Sequence, residues 1–137
     1  MSEPLSPFAV ALADLCRRRA SAEPALLAAS AALVASERSR GHTGILLDEH
    51  SGHSLGGVRF PAAEEWGRRL LTSGLVGDDG LLTLDGHRLA LARDARAERR
   101  LAANLRAKLT LPGDESAAQA LAPHFAALFP RAASTCD

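Results

Sequence analysis

Five residues between positions 42 and 53 are of types that commonly serve as metal ligands: His42, Asp48, Glu49, His50 and His53. Zn²⁺ accepts imidazole and carboxylate ligands, and His50 and His53 are spaced as a feasible local pair. Metal ligands are usually held by rigid elements, however, and these two histidines lie in a segment rich in glycine and serine. Two interpretations stay open, a metal site and a solvated loop, and the composition favours the loop.

Nucleophilic chemistry has two candidates, Cys16 and Ser73. The three arginines that follow Cys16 would lower the pKa of its thiol, although its helical spacing also suits a small buried apolar residue. Ser73 precedes Gly74 but lacks the Gly-x-Ser-x-Gly elbow of a serine nucleophile. The single lysine, Lys108, lies in Arg-Ala-Lys-Leu and cannot complete a Walker A phosphate loop. We therefore expect no catalytic residue, metal or nucleotide cofactor in this chain.

Basic residues are concentrated between Arg88 and Lys108, where seven cations and two acids leave an excess of five positive charges. Within this stretch Arg96, Arg99 and Arg100 lie about one helical turn apart. Such a face contacts phosphates or an acidic protein, or it is the solvated side of a helix. The whole chain has a formal net charge of zero, so no overall field attracts it to nucleic acid or membrane.

Capping residues and apolar periodicity predict five helices. Their predicted starting signals are Ser6-Pro7, Ser21 with Pro24, Pro61, Asp94, and a Ser116–Gln119 capping box. Glycines at 41 and 74 end the second and third helices, and Pro123 bends or interrupts the last. The predicted apolar faces contain Phe8, Leu12, Leu15 and Cys16; Trp66, Leu70 and Leu71; and Leu101, Leu105 and Leu109.

Two short apolar runs without helical period predict β-structure. The first is a strand over Gly44–Glu49, and residues 50–60 then read as a loop because of their glycines and serines. The second is a hairpin around Asp85-Gly86. A two-residue Asp-Gly turn pairs Leu82 with Leu89, whereas a four-residue loop pairs Leu84 with Leu89 and Leu82 with Leu91. We favour the longer loop, because it brings more leucine together across the strands.

These elements predict a mostly helical α+β fold, a helix bundle with a small sheet made of one strand and a hairpin. Runs of this kind occur in winged-helix-like domains, which says nothing about function by itself. Two cysteines, Cys16 and Cys136, are too few for a disulfide framework. The N-terminus lacks the basic region and apolar core of a signal peptide, and no apolar run reaches the ~20 residues of a membrane span. We expect a cytoplasmic protein.

The order of several segments resembles one family along most of the chain. An Ala/Leu-rich helix ends in Gly41-His42 before an apolar strand, Glu65-Trp66 precedes Leu70-Leu71, and Leu84-Asp85-Gly86-His87-Arg88-Leu89-Ala90-Leu91 forms the hairpin before Glu98. Leu128-Phe129-Pro130 closes the series. In this order the segments resemble the N-terminal region of RecD, the alpha subunit of exodeoxyribonuclease V, which is the RecBCD helicase-nuclease.

This resemblance implies a single domain over residues 1–131 and a frayed tail over 132–137 that leads to a downstream motor. ATP and Mg²⁺ would be bound by that motor and not here. The domain would attach the alpha subunit to a RecC-like gamma subunit, within a heterotrimer that also contains a RecB-like beta subunit and meets DNA as a complex. The associated process would be DNA repair and recombination.

The alternative is a stand-alone winged-helix-like DNA-binding module. In that reading Arg68 and Arg69 lie on the third predicted helix and Arg88 lies on the wing. Together with Arg96, Arg99 and Arg100, these are the residues expected to contact a partner protein or DNA. The neutral net charge favours the docking domain over the DNA-binding module.

Overall fold

A computed structural model describes residues 3–110 and 112–130. Of these residues 58% are helical, and the strands form two small antiparallel sheets, so the mostly helical α+β class is confirmed. The chain forms two compact units, one up to Arg100 and one from Leu101 onward. The predicted tail at 132–137, the domain limit at 131 and Cys136 lie outside the described residues. The extent of the family domain therefore stays a prediction.

The elements follow the predicted order, with one short helix and one hairpin added. They are α1 (Pro7–Arg19), α2 (Pro24–Ser39), β1 (Gly44–Leu46), α3 (Leu47–His50), β2 (Ser54–Leu55), β3 (Val58–Arg59), α4 (Ala63–Leu71), β4 (Leu82–Asp85), β5 (Arg88–Leu91), α5 (Ala92–Leu109) and α6 (Glu115–Leu128). Among the described residues, no helix has the length and apolar character needed to cross a membrane.

The larger sheet has the order β1-β5-β4, so the second strand of the hairpin lies in the middle. Leu82 pairs with Leu91 and Leu84 with Leu89, which is the register favoured from the sequence. The ladder extends one pair further, to Asp85 and Arg88, so the turn consists of Gly86 and His87. The leucine pairs were predicted correctly, whereas the predicted four-residue loop is two residues too long.

Strand β1 ends earlier than predicted. Its last residue, Leu46, pairs with Arg88, the first residue of β5, so the ladder has no partner strand beyond that point. The backbone N–H of Leu47 still donates to the carbonyl of His87, at 2.9 Å, and the chain then turns into α3. The predicted strand over Gly44–Glu49 is therefore correct for three residues and wrong for the rest.

The segment predicted as a loop contains a small hairpin, in which β2 pairs with β3. Gly56 and Gly57 form its two-residue turn with φ of 57° and 80°. Positive φ at both central residues is the conformation that matches the twist of a two-residue hairpin, and glycine adopts it at no steric cost. The glycines indicated the turn, but strands of two residues are too short to show alternation.

Helices α1 and α2 begin at the predicted prolines but differ in their caps. The Ser6 hydroxyl accepts from the N–H of Ala9 as expected for an N-cap. The N-cap of α2 is Glu23, in the left-handed region at φ 53°, and not Ser21. The Ser21 hydroxyl instead donates to the carbonyl of Ser73, at 2.9 Å, and so ties the turn between α1 and α2 to the segment after α4.

Trp66 of α4 is linked to α2 by a buried hydrogen bond within the core. Trp66 is fully buried, its ring stacks on Phe60 with centroids 4.3 Å apart, and its indole N–H donates to the hydroxyl of Ser30 at 2.9 Å. Ser30 in turn donates to the carbonyl of Leu26 at 2.7 Å. Gly67 lets α4 approach the sheet, since a Cβ there would lie 3.1 Å from the Leu84 side chain.

In the first unit, two residues assigned to apolar faces are exposed, Phe8 and Leu71. On α1 the buried positions are Ala9, Leu12 and Cys16, and Phe8 is 46% exposed. On α4 the side chain of Leu71 points to solvent, whereas Leu70 is buried. In both helices the exact phase places one of two neighbouring apolar residues in the core, Ala9 and not Phe8 on α1, and Leu70 and not Leu71 on α4.

The caps of the last two helices also differ from prediction. Helix α5 begins at Ala92, and the carboxylate of Asp94, its third residue, accepts from Arg38 Nε at 2.7 Å instead of capping. The cap of α6 is Asp114, whose carboxylate accepts from the N–H groups of Ser116 and Ala117, so the capping box at Ser116 is wrong. Helix α6 continues through Pro123 without interruption.

We expect Ser30→Ala to lower the free energy of unfolding by about 1–3 kcal/mol, because the indole N–H of Trp66 would stay buried without an acceptor. Chemical denaturation followed by tryptophan fluorescence measures this directly, since Trp66 is the single tryptophan of the chain.

Ser39→Ala is the matched control. The Ser39 hydroxyl also donates to the carbonyl four residues earlier, at 3.2 Å, but that bond is only partly buried, and among the described residues the Ser39 hydroxyl forms no bond to another side chain. We expect a change within about 0.5 kcal/mol. Equal losses for the two variants would mean that the bond to Trp66 adds nothing.

Candidate docking site

Helix α6 has an unusual surface for a helix of a folded protein. It consists largely of alanine, leucine and phenylalanine, and Glu115 is its one acidic residue, with no lysine or arginine. Every one of its residues is exposed, including Leu121, Phe125 and Leu128. Leu121, Phe125 and Leu128 fall on one side of the helix, and an apolar stripe of this kind is normally buried. The described residues of its own unit leave this stripe exposed.

The end of α5, in the same unit, has the same property. Leu101, Leu105 and Leu109 lie at i, i+4 and i+8, where helical geometry places them on one face. Their exposed fractions are 59%, 52% and 84%. The predicted leucine face therefore exists as a geometric stripe, and its three side chains are exposed.

The described residues of the second unit thus present large apolar side chains to solvent on both helical segments. They are Leu101, Leu105, Leu109, Leu121, Phe125, Leu128 and Phe129. The rings of Phe125 and Phe129 contact each other, with centroids 4.9 Å apart. Large exposed apolar residues are typical of surfaces that bind another molecule. We call these seven residues the apolar docking surface.

Two of the six predicted contact arginines are held inside the first unit. Arg69 forms a bidentate pair with Glu23, at 3.0 and 2.8 Å, and lies 3.7 Å from Glu65. The bond from Arg69 lowers the pKa of the Glu23 carboxyl, and the same bond raises the pKa of Arg69. Arg88 donates to Thr43 at 2.8 Å and to Glu98 at 3.3 Å. These two cations stabilise contacts between elements.

The other four arginines are exposed. Arg68 lies on α4, apart from Arg96, Arg99 and Arg100 on α5. Arg96 donates to the backbone carbonyl of Asp78 at 3.2 Å. Within residues 3–100, none of these four forms an ion pair with a carboxylate. Arg96, Arg99 and Arg100 thus lie exposed on one helix, and their role as contact residues stays a prediction.

The residues considered for metal binding are spread over several elements. The described residues contain no group of three histidine, cysteine or acidic side chains arranged to hold an ion. His50 and His53 have ring centroids 6.2 Å apart in an edge-on arrangement. Asp48 accepts a hydrogen bond from, or pairs with, His87 Nδ1 at 2.8 Å, and His42 lies 3.9 Å from Glu37.

The contact of His87 with Asp48 was missed at the sequence level. The sequence places Asp48 in the same strand as Leu47 and His87 in the hairpin loop, and no motif links the two residues. The link forms because Leu47 N–H binds the carbonyl of His87 and brings the start of α3 to the turn. The only signal was the predicted adjacency of the first strand and the hairpin in one small sheet.

Neither nucleophile candidate is placed for catalysis. Cys16 is buried on α1, and burial raises the pKa of its thiol to about 11, the opposite of the shift that its neighbouring arginines suggested. Ser73 is fully buried and donates to the carbonyl of Leu70 at 2.6 Å. The prediction that Cys16 is a small buried apolar residue is confirmed.

No protein-family model matches this chain, and no curated protein matches it.

We expect the Cys16 thiol to resist alkylation in the folded protein. With a pKa of about 11, roughly one thiol in a thousand is ionised at about pH 8, whereas an ordinary thiol of pKa about 8.5 is substantially ionised there. Labelling of a Cys136→Ser variant with iodoacetamide, followed by mass spectrometry, should be at least about 100-fold slower without denaturant than with it.

The denatured sample is the control for reagent quality, and it should label completely. A folded sample that labels as fast as the denatured one would show that the thiol is exposed and ionised. The same experiment repeated at about pH 10 should accelerate labelling, because the rate follows the thiolate fraction.

Proposed function

We propose that this chain is the assembly domain of a RecD-like alpha subunit of exodeoxyribonuclease V, and that it attaches the subunit to a RecC-like gamma subunit. The observation that carries this proposal is the apolar docking surface on residues 101–130. Uncovered leucines and phenylalanines are the residues from which the buried centre of a protein–protein interface is built. The order of segments that resembles RecD supplies the identity of the partner.

The composition of α6 supports a protein partner over a nucleic acid at this surface. Interfaces with DNA are polar and strongly positive. Helix α6 carries no lysine or arginine, and its exposed side chains are mostly apolar. Burying them against a partner would gain about 25 cal/mol for each Å² of apolar area removed from water.

In the proposed complex the gamma subunit would be accompanied by a RecB-like beta subunit, and the heterotrimer would act on DNA in the cytoplasm during double-strand-break repair and recombination. ATP and Mg²⁺ would bind to a motor domain downstream in the alpha subunit. This domain would contribute attachment, with no catalytic residue of its own. Its fold suits that task, because the core lies in the first unit and the docking surface lies outside it.

The winged-helix DNA-binding module has weaker support. A helix-turn-helix joins its two helices by a turn of 3–4 residues, whereas the β2–β3 hairpin separates α3 from α4 here. Of the three cations assigned to DNA contact, Arg69 and Arg88 are engaged with Glu23 and Glu98. Glu64 and Glu65 are exposed on α4 beside Arg68 and would repel phosphates.

We expect the chain to co-purify with a RecC-like gamma subunit of the same source, and Phe125→Glu to weaken that association about 30-fold or more. Loss of a central aromatic contact costs ~2 kcal/mol or more at a protein interface, and tenfold in affinity corresponds to about 1.4 kcal/mol. Biolayer interferometry with immobilised gamma subunit measures both values.

Phe8→Glu is the matched control. Phe8 is an exposed phenylalanine on α1, outside the docking surface, with 46% of its area exposed against 56% for Phe125. It should leave the affinity unchanged, and both variants should retain the melting temperature. Absence of any gamma-subunit binding would overturn the proposed function, and loss of binding by Phe8→Glu alone would move the interface to α1.

A further inference from the structure

At the start of α5, over residues 92–100, the acidic and the basic side chains lie on different sides of the helix. At 3.6 residues per turn, the two acids, Asp94 and Glu98, lie one turn apart on one flank of the helix, and Arg96, Arg99 and Arg100 lie within an arc of roughly 100° on another. The net charge of the whole chain is zero, but a helix sorted in this way has a local field of its own.

The two acids are neutralised by arginines of the first unit. Asp94 accepts from Arg38 Nε at 2.7 Å, and its side chain is only 15% exposed. Glu98 pairs with Arg88 at 3.3 Å. Arg93, at the edge of the arc, lies 3.6 Å from Asp94 but keeps 73% of its side-chain area exposed. The carboxylates of this segment are therefore unavailable to balance the three arginines on the other flank.

The three arginines are presented outward. Ala92 and Ala95 are buried and fix this part of α5 on the first unit, while Arg96, Arg99 and Arg100 are exposed. Arg96 donates to the backbone carbonyl of Asp78 and, among the described residues, has no carboxylate oxygen within 4.0 Å, although the exposed acids Asp78 and Asp79 lie next to it in the chain it contacts. We call Arg96, Arg99 and Arg100 the arginine row.

We infer that the arginine row binds the phosphate backbone of duplex DNA. The row extends over ~6 Å of helix axis, and over that length a duplex carries roughly three to four phosphate charges. Guanidinium groups bind phosphate oxygens in a bidentate manner. That the polyanion is DNA rests on the proposed function. That the row binds phosphate rests on its charge, exposure and spacing, which are independent of that function.

The surroundings of the row favour phosphate over an acidic protein. A protein interface needs an apolar centre, and the residues between Arg93 and Arg100 offer no apolar side chain larger than alanine. The next large apolar side chain along α5 is Leu101, which belongs to the apolar docking surface and not to the row. A single strand is also disfavoured, because no aromatic residue lies in this segment to stack on its bases. A contact with the phosphate backbone of a duplex depends on charge and not on base sequence, so it needs neither an apolar centre nor an aromatic side chain.

The test is fluorescence anisotropy of a labelled DNA duplex titrated with the whole 137-residue chain at two salt concentrations. Three phosphate contacts predict that affinity falls about 40-fold when salt rises from about 50 to about 200 mM. Arg99→Gln with Arg100→Gln should weaken binding at the lower salt and reduce that fall to about fourfold. Glutamine retains helix propensity, so the fold should persist.

Arg17→Gln with Arg19→Gln is the matched control, since it removes the same charge from exposed positions on α1. It should leave the salt dependence unchanged. The inference fails if the duplex does not bind, if the control pair weakens binding equally, or if polyglutamate displaces the duplex as well as unlabelled DNA does. Partner binding is measured in a separate assay, so a row without DNA affinity leaves the proposed docking function standing.

Discussion

The buried hydrogen bond between the indole of Trp66 and the hydroxyl of Ser30 sets the spacing of the core. It joins α4 to α2 at 2.9 Å in a place that water does not reach. Alanines surround Ser30 along α2 and are buried with it, so α1 and the sheet also approach this helix closely. A larger residue at position 30 would displace the indole, and the stacked ring of Phe60 with it. The first unit is thus built around one small polar residue in an apolar helix.

Much of the fold was predictable because its signals are local. Prolines at 7 and 24 set the starts of two helices, and the alternation of leucines gave the correct register of the main hairpin. Errors arose where a distant partner decides the outcome. The extent of β1 depends on where β5 begins, and the role of Asp94 depends on Arg38 from another helix. Neither partner can be inferred from neighbouring residues.

The site was predictable to a smaller degree. Sequence spacing identified the cluster Arg96, Arg99 and Arg100 on one helix, and the structure exposes all three. Sequence spacing could not distinguish these arginines from Arg69 and Arg88, which form ion pairs with acids of other elements. The leucine face at 101–109 was recognised as apolar, but apolar periodicity does not reveal whether a face is covered. Burial is a property of the tertiary structure, and it was needed to recognise the docking surface.

The sheet order β1-β5-β4 has a consequence for how the chain acquires its structure. Gly44 pairs with Ala90, so the edge of β1 has no partner until the ribosome has made both helices and the hairpin between them. Closing a loop of that length lowers the conformational entropy of the chain before the hydrogen bonds between β1 and β5 can form. Until then β1 presents unpaired amide and carbonyl groups, which other nascent chains can add to. The risk of aggregation is limited because β1 has only three residues, and so short a strand is a poor template for another chain.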